Sequence, residues 1–304
     1  YAWEKPLESV FPRRQSISGT ASEIRFEKRS RKKPAIAVAK PRVFIPIFPG
    51  TNGEYEMARA FERAGGIVDF FVFRNASVKE IEESIDRLSE KIRNAQILGI
   101  PGGASAGDQP DGSGKLIDLI FRNAKVEEAV NKLLHEQDGL ILGIGNGFQA
   151  LLRLGLLPYG EIRDMDENSP VLMENPIGRH VSRMVQTKVV SVLSPWFRYL
   201  QVGDIHTVAI SHREGRFVAT QQEMEKMIQN GQIATQYVDF EGNPMYSSEY
   251  NPNASFEGVE GLTSPDGRIL GKMGHSERIG THLYKNIPGE KDQKIFEAGI
   301  AYFR

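Results

Sequence analysis

From Arg42 onward, short apolar runs alternate with amphipathic stretches. Val43-Phe44-Ile45-Pro46-Ile47-Phe48 predicts a buried strand, with Pro46 favouring its end or an irregularity because proline donates nothing to a ladder. Residues 54–64 predict a helix and residues 67–73 a second strand. Ile81, Ile85, Leu88 and Ile92 recur at spacings of four, three and four, which puts them on one helical face. Residues 96–100 predict a third strand, 115–136 one or two helices, and 140–144 a fourth strand. This alternation is the pattern of a mostly parallel sheet covered by helices on both faces.

After Ile162 the pattern changes to β-type segments at 185–193, 206–210, 216–219 and 233–238. Segments 258–263 and 268–273 flank Ser264-Pro265-Asp266-Gly267, a turn-forming sequence that predicts a hairpin. Neither an internal repeat nor a low-complexity block is visible, so one α/β domain with β insertions is expected over residues 41–304. Residues 1–40 differ: ten Lys/Arg against four Asp/Glu give +6, with a basic knot at Lys28-Arg29-Ser30-Arg31-Lys32-Lys33. They read as a linker or arm that lies over a neighbour, or, as the plainer expectation, as a solvated connector. No aromatic residues are interleaved with the knot to stack on bases, and the whole chain carries a net charge of −1, so neither nucleic acid nor a membrane surface is an expected partner. No run approaches a membrane span and no signal pattern opens the chain. The first residue is Tyr1, so the chain is expected to be a segment of a longer polypeptide. Cysteine is absent, which excludes disulfides, thiolate metal sites and any thiol nucleophile.

In an open parallel sheet, ligands bind beyond the carboxyl ends of the strands. Three unusual segments follow predicted strands: Pro49-Gly50-Thr51-Asn52-Gly53, Pro101-Gly102-Gly103-Ala104-Ser105-Ala106-Gly107-Asp108, and Gly143-Ile144-Gly145-Asn146-Gly147-Phe148-Gln149. The third has the G-x-x-x-G frame of a nucleophile elbow, a tight strand-to-helix turn that presents its middle side chain, yet the middle residue is Gly145. A dinucleotide fingerprint would need glycine where Phe148 stands, and Gly114-Lys115 fails as a Walker motif because Leu116 follows and Gln109 replaces the first glycine. Gly102-Gly103 is either an ordinary tight turn or a pair of backbone donors for an oxyanion, each such donor being worth about 3–4 kcal/mol at a transition state. His275-Ser276-Glu277 follows the last hairpin strand and offers a base with an orienting carboxylate. A second His-x-Glu at His212-Arg213-Glu214 leaves open a divalent-metal alternative, although no metal ligand is assigned.

Taken in order, Pro49-Gly50-Thr51-Asn52, Ile100-Pro101-Gly102-Gly103 with Ser105 and Gly107-Asp108, Gly143 to Gln149, His212-x-Glu214-Gly215-Arg216-Phe217 and Gly274-His275-Ser276-Glu277-Arg278 resemble the glutaminase domain of phosphoribosylformylglycinamidine synthase, from about Arg42 to about Arg278. Pro6-Leu7-Glu8-Ser9-Val10-Phe11-Pro12 is similar to the connector before that domain in the single-chain form, whose C-terminal part this chain would be. The resemblance implies a flavodoxin-like class I glutamine amidotransferase fold, with residues 1–40 as an arm from a preceding synthase domain. It implies that the nucleophile belongs at 145, that His275 is base and acid, that Glu277 orients it, that the N–H groups of Gly103 and Asn146 hold the oxyanion, and that Gln149 helps hold glutamine. Ammonia would pass to a synthase domain of the same polypeptide, which uses ATP and magnesium in purine biosynthesis in the cytoplasm; this segment itself is expected to need no cofactor.

The departures fall on chemistry. Gly145 stands at the family's cysteine, and Gly53 at a second frequent cysteine, so the replacement reads as systematic and the covalent route is closed in the chain as written. Arg213 replaces a usual glycine and is expected to crowd or recharge the mouth of the site; Ser276 replaces a common proline. The alternative from another class is a non-catalytic docking module that holds the synthase or an oligomer together.

Overall fold

β1 (Arg42–Ile47) lies between β2 (Ile67–Val72) and β3 (Ile97–Ile100), parallel to both, because its apolar side chains are covered on each face and its edges need partners. β4 (Leu140–Ile144) pairs with β3, and β11 (Ile269–Lys272) pairs with β4, again in parallel. Beyond β11 the sheet continues antiparallel through β10 (Val259–Thr263), β9 (Ile233–Val238), β6 (Val181–Val189) and β7 (Ile205–His212). The order is β2-β1-β3-β4-β11-β10-β9-β6-β7, and only β10 and β6 run against the rest, so the sheet is mostly parallel as the alternation predicts. This computed structural model describes residues 19–107 and 113–304. The connector at 6–12, Asp108 and Gln109 lie outside the described residues.

Pro46 sits one residue from the end of β1, opposite Phe71. Pairing with β3 reaches only Phe44, so the missing N–H falls where no ladder bond is needed. α1 (Glu54–Arg63) and α8 (Ile295–Tyr302) cover one face, where Phe61 meets Phe296 edge-on at 4.9 Å. α2 (Val78–Arg93), α3 (Lys115–Phe121), α4 (Ala124–His135) and α5 (Asn146–Arg153) cover the other. The periodic face on α2 behaves as its spacing predicts: Leu88 and Ile92 are fully buried, with Ile81 and Ile85 packed beside them. The predicted hairpin at 264–267 joins β10 to β11.

Several elements depart from the sequence reading. α6 (Leu156–Tyr159) follows α5; beyond Ile162, β5 (Val171–Glu174) pairs with β8 (Glu214–Val218) in a separate small sheet, and α7 (Gln221–Gln229) and α8 break up the region read as β-type. β6 begins four residues earlier than 185, through the polar Ser182 and Arg183, because its pairing with β7 continues to Val181↔His212. Residues 19–40 lie against the domain instead of standing free. Phe26 bridges Ser191, Val38 N–H donates to Phe303 at 2.7 Å, and Arg29 of the basic knot donates to the carbonyls of Phe197 and Leu200.

Close approach of α5 to the strand ends sets the position of the turn between them. A Cβ at Gly147 would lie 2.1 Å from the Ile100 carbonyl oxygen, and one at Gly143 would lie 2.8 Å from the Gly147 carbonyl. Both residues must lack a side chain. Gly147→Ala is therefore expected to cost about 3 kcal/mol or more, the high end for overpacking against backbone. Phe61→Ala is expected to cost about 3–5 kcal/mol through the cavity it leaves. Urea denaturation followed by far-UV circular dichroism measures both.

Candidate active site

β4 delivers the chain to Gly145, which caps α5 at φ +56° and ψ −110°. That conformation is disfavoured for any residue with a side chain, at a cost of about 1–3 kcal/mol, and is the kind of strain concentrated at functional turns. Gly145 differs from its two glycine neighbours in the motif, because a Cβ there meets nothing closer than 3.7 Å. The atoms it would meet are Gly102 Cα at 3.7 Å, His275 Cε1 at 3.7 Å and His275 Nε2 at 4.0 Å. The backbone thus provides ordinary van der Waals room for a side chain beside an imidazole nitrogen.

His275 and Glu277 follow β11, the parallel neighbour of β4, which is why the imidazole reaches the turn. His275 Nδ1 is 2.6 Å from Glu277 Oε1, with the two side chains 4% and 1% exposed. A neutral imidazole donating from Nδ1 to the carboxylate keeps the Nε2 lone pair toward residue 145, the arrangement a general base requires. Gly53 adjoins the same carboxylate: a Cβ there would lie 3.5 Å from Glu277 Oε1. Both Gly145 and Gly53 therefore border the His275–Glu277 pair.

The loops after β1 and β3 are laced together. Asn52 N–H donates to Gly102, Ala104 N–H to Gly50 and Ala106 N–H to Pro49, at 2.8–2.9 Å. Their approach requires glycine at 103, where a Cβ would lie 2.4 Å from the Gly50 carbonyl oxygen. The Gly103 N–H has no hydrogen-bond acceptor among the described residues. Asn146 opens α5, with its side-chain oxygen accepting from Ser105 N–H at 3.3 Å and its amide donating to Gln149 Oε1 at 3.0 Å. Gln149 in turn donates to the Glu214 carbonyl at 2.5 Å. These two bonds use one of the amide's two N–H groups and one of its two oxygen lone pairs.

The second His-x-Glu pair does other work. His212 is buried on β7, with Nε2 2.8 Å from Asn253 Oδ1, and Glu214 Oε2 accepts from Ser113 N–H. Among the described residues no group of three or more His, Cys, Asp or Glu is placed to hold a metal ion. Arg213 turns outward and pairs with Glu174 at 2.8 Å, so its charge is met on β5 instead of recharging the mouth of the site. Sequence reasoning missed Lys272 and Glu260, both fully buried beneath the His275 loop. The signal was present as opposite charges set in the apolar runs of the two hairpin strands.

Burial pushes the His212 pKa from 6.5 down to about 4, with the neighbouring His275 and His180 acting in the same direction. The folded state keeps His212 neutral, whereas the unfolded chain takes up a proton below pH 6.5. Stability from this group is therefore complete above that pH and is lost as pH falls toward 4. Each unit of the interval is worth about 1.4 kcal/mol. The urea midpoint should fall steeply between pH 6.5 and 4, and His212→Asn should flatten that slope; an unchanged slope would place the sensitivity elsewhere.

The sequence model of the CobB/CobQ-like glutamine amidotransferase domain matches residues 40–303. A relative named phosphoribosylformylglycinamidine synthase subunit PurQ, from Methanococcus maripaludis, is 32% identical over 240 residues, covering 78% of this chain and 82% of the relative. The PurQ subunit of Pyrococcus furiosus is 29% identical over 260 residues, covering 86% and 97%. Among solved structures, that of PurLQS from Thermotoga maritima superimposes with a TM-score of 0.62 at 23% identity, covering 87% of this chain and 100% of that one, a likeness of fold. With the strand-end geometry, these matches show that the chain belongs to the CobB/CobQ-like glutamine amidotransferase family and groups there with the PurQ subunits.

Proposed function

We propose that this chain is the glutaminase portion of a phosphoribosylformylglycinamidine synthase, with its nucleophile position occupied by Gly145. The observation that carries the reading is the 3.7 Å from a Cβ at 145 to the ring of an imidazole whose other nitrogen is bonded to Glu277. A thiol built on that Cβ gives its proton to His275 Nε2 and attacks the side-chain amide carbon of glutamine, and His275 passes that proton to the departing ammonia. Water then cleaves the thioester to glutamate, with His275 taking the water proton and Glu277 supporting the imidazolium. The N–H groups of Gly103 and Asn146 are assigned to the oxyanion, and Gln149 to the glutamine substrate. Ammonia passes to a synthase that uses ATP and magnesium to convert formylglycinamide ribonucleotide to the amidine, a step of purine biosynthesis.

With glycine at 145 no thioester forms, so the chain as written binds glutamine without hydrolysing it. A non-catalytic docking role has only that missing side chain in its favour, whereas a docking module has no use for a buried His275–Glu277 pair. We further place the synthase on the same polypeptide, on the strength of the connector-like sequence at 6–12 and the basic arm. The natural product should then have an intact mass well above that of these 304 residues, and a mass matching them alone overturns the linkage.

In the presence of an intact synthase, Gly145→Cys is expected to release ammonia from glutamine while the parent chain does not. Glu277→Gln in that background should lower kcat by about 10²–10⁴-fold, because the imidazole loses its orienting charge. A Gly145→Cys chain that binds glutamine yet releases no ammonia with the synthase present contradicts the assignment.

A further inference from the structure

We propose that Lys272, acting with Glu260, is a positioning group that holds His275 opposite the turn at residue 145. The consequence for catalysis rests on the glutaminase reading; the geometry does not. Lys272 on β11 and Glu260 on β10 are both 0% exposed, with Nζ 3.4 Å from Oε1. Lys272 Nζ also donates to Ser276 Oγ at 2.9 Å and to Gln293 Oε1 at 2.8 Å, so the ammonium has two hydrogen bonds besides its ion pair. Glu260 Oε1 accepts the Gly274 N–H at 2.6 Å, and its other oxygen accepts from Thr235.

The two charges therefore grip the residues on either side of His275: Gly274 is held by Glu260 and Ser276 by Lys272. His275 itself is pinned through its main-chain N–H to Ala209 of β7 at 2.8 Å. Three consecutive residues are fixed from three different strands. Gln293, in the segment leading into α8, ties Lys272 and Ser276 together by accepting from both. A buried ion pair is a poor way to gain stability, since apolar residues of the same volume do as well or better. Its distinctive contribution is direction: hydrogen bonds at two fixed points that a packed Met and Leu cannot supply.

The test uses the full chain carrying Gly145→Cys, with and without the paired change Lys272→Met/Glu260→Leu, which removes both charges and both of their hydrogen bonds to the loop together. Two readouts are taken: the rate at which iodoacetamide alkylates the introduced thiol at neutral pH, and the downfield NMR resonance of the His275 Nδ1 proton bonded to Glu277. The paired variant is expected to slow alkylation by about tenfold and to lose the resonance, as displacement of a reacting group by even an ångström is costly. A folded paired variant with less than about threefold slowing and an intact resonance overturns the proposal. If that variant fails to fold, Ser276→Ala removes the Lys272 contact to the loop, together with the Ser276 bond to Gln293, and leaves the charges paired. It should slow alkylation by at least about threefold and weaken the resonance, and no change in either overturns the proposal. Fast alkylation with a sharp resonance, but no ammonia from glutamine, counts against the glutaminase reading alone and leaves the positioning role standing.

Discussion

Everything at this site depends on the reversal of the chain between β4 and α5. The strand is buried on every side and the helix is pressed so closely onto the ends of β3 and β4 that Gly143 and Gly147 cannot carry side chains. The chain must therefore turn within a single residue, and Gly145 takes a left-handed, strained conformation to do so. Because β1, β3, β4 and β11 are adjacent and parallel, their following loops meet at that turn: the paired loops at 49–53 and 102–106 on one side, His275 and Glu277 on the other. The family's chemistry is a consequence of where a doubly covered parallel sheet ends.

The imidazole side of the cleft is rigid for a different reason. β11 enters the sheet as half of a hairpin, and its partner strands reach across to hold the residues that follow it. Ala209, Glu260 and Lys272 each fix one residue of the 274–276 stretch, and Gln293 closes the arrangement from the C-terminal segment. The antiparallel extension of the sheet, which looks like decoration on a parallel core, is thus what orients the His275 side chain. The turn at 145 carries no side chain, and the His275–Glu277 pair beside it is in place.

Much of the parallel half of the fold was legible in the sequence, because its strands are continuous apolar runs and its helices have one apolar stripe. The elbow, the Gly102-Gly103 loop and the His275-Ser276-Glu277 triplet could be placed at strand ends by the same reasoning. The second half was harder for identifiable reasons. α8 is apolar almost all round, so no periodicity marks it; α7 buries little beyond Met224 and Met227; β5 is an exposed strand whose partner lies more than 40 residues away. The basic arm was read as solvated because nothing local shows that Arg29 would find carbonyl oxygens at Phe197 and Leu200. Lys272 and Glu260 were passed over because each is a lone charge in an apolar strand, and their meeting becomes visible only once the hairpin register is known.

The most direct measurement is covalent trapping. A diazoketone analogue of glutamine reacts only with a nucleophile that faces the bound substrate and has a base beside it. Peptide mapping by mass spectrometry of the Gly145→Cys chain should place a single adduct at position 145, with none in the parent chain and with labelling abolished by His275→Ala. Failure to label at 145, or labelling unaffected by removal of the imidazole, would contradict the claim that the turn at Gly145 and His275 form one catalytic centre.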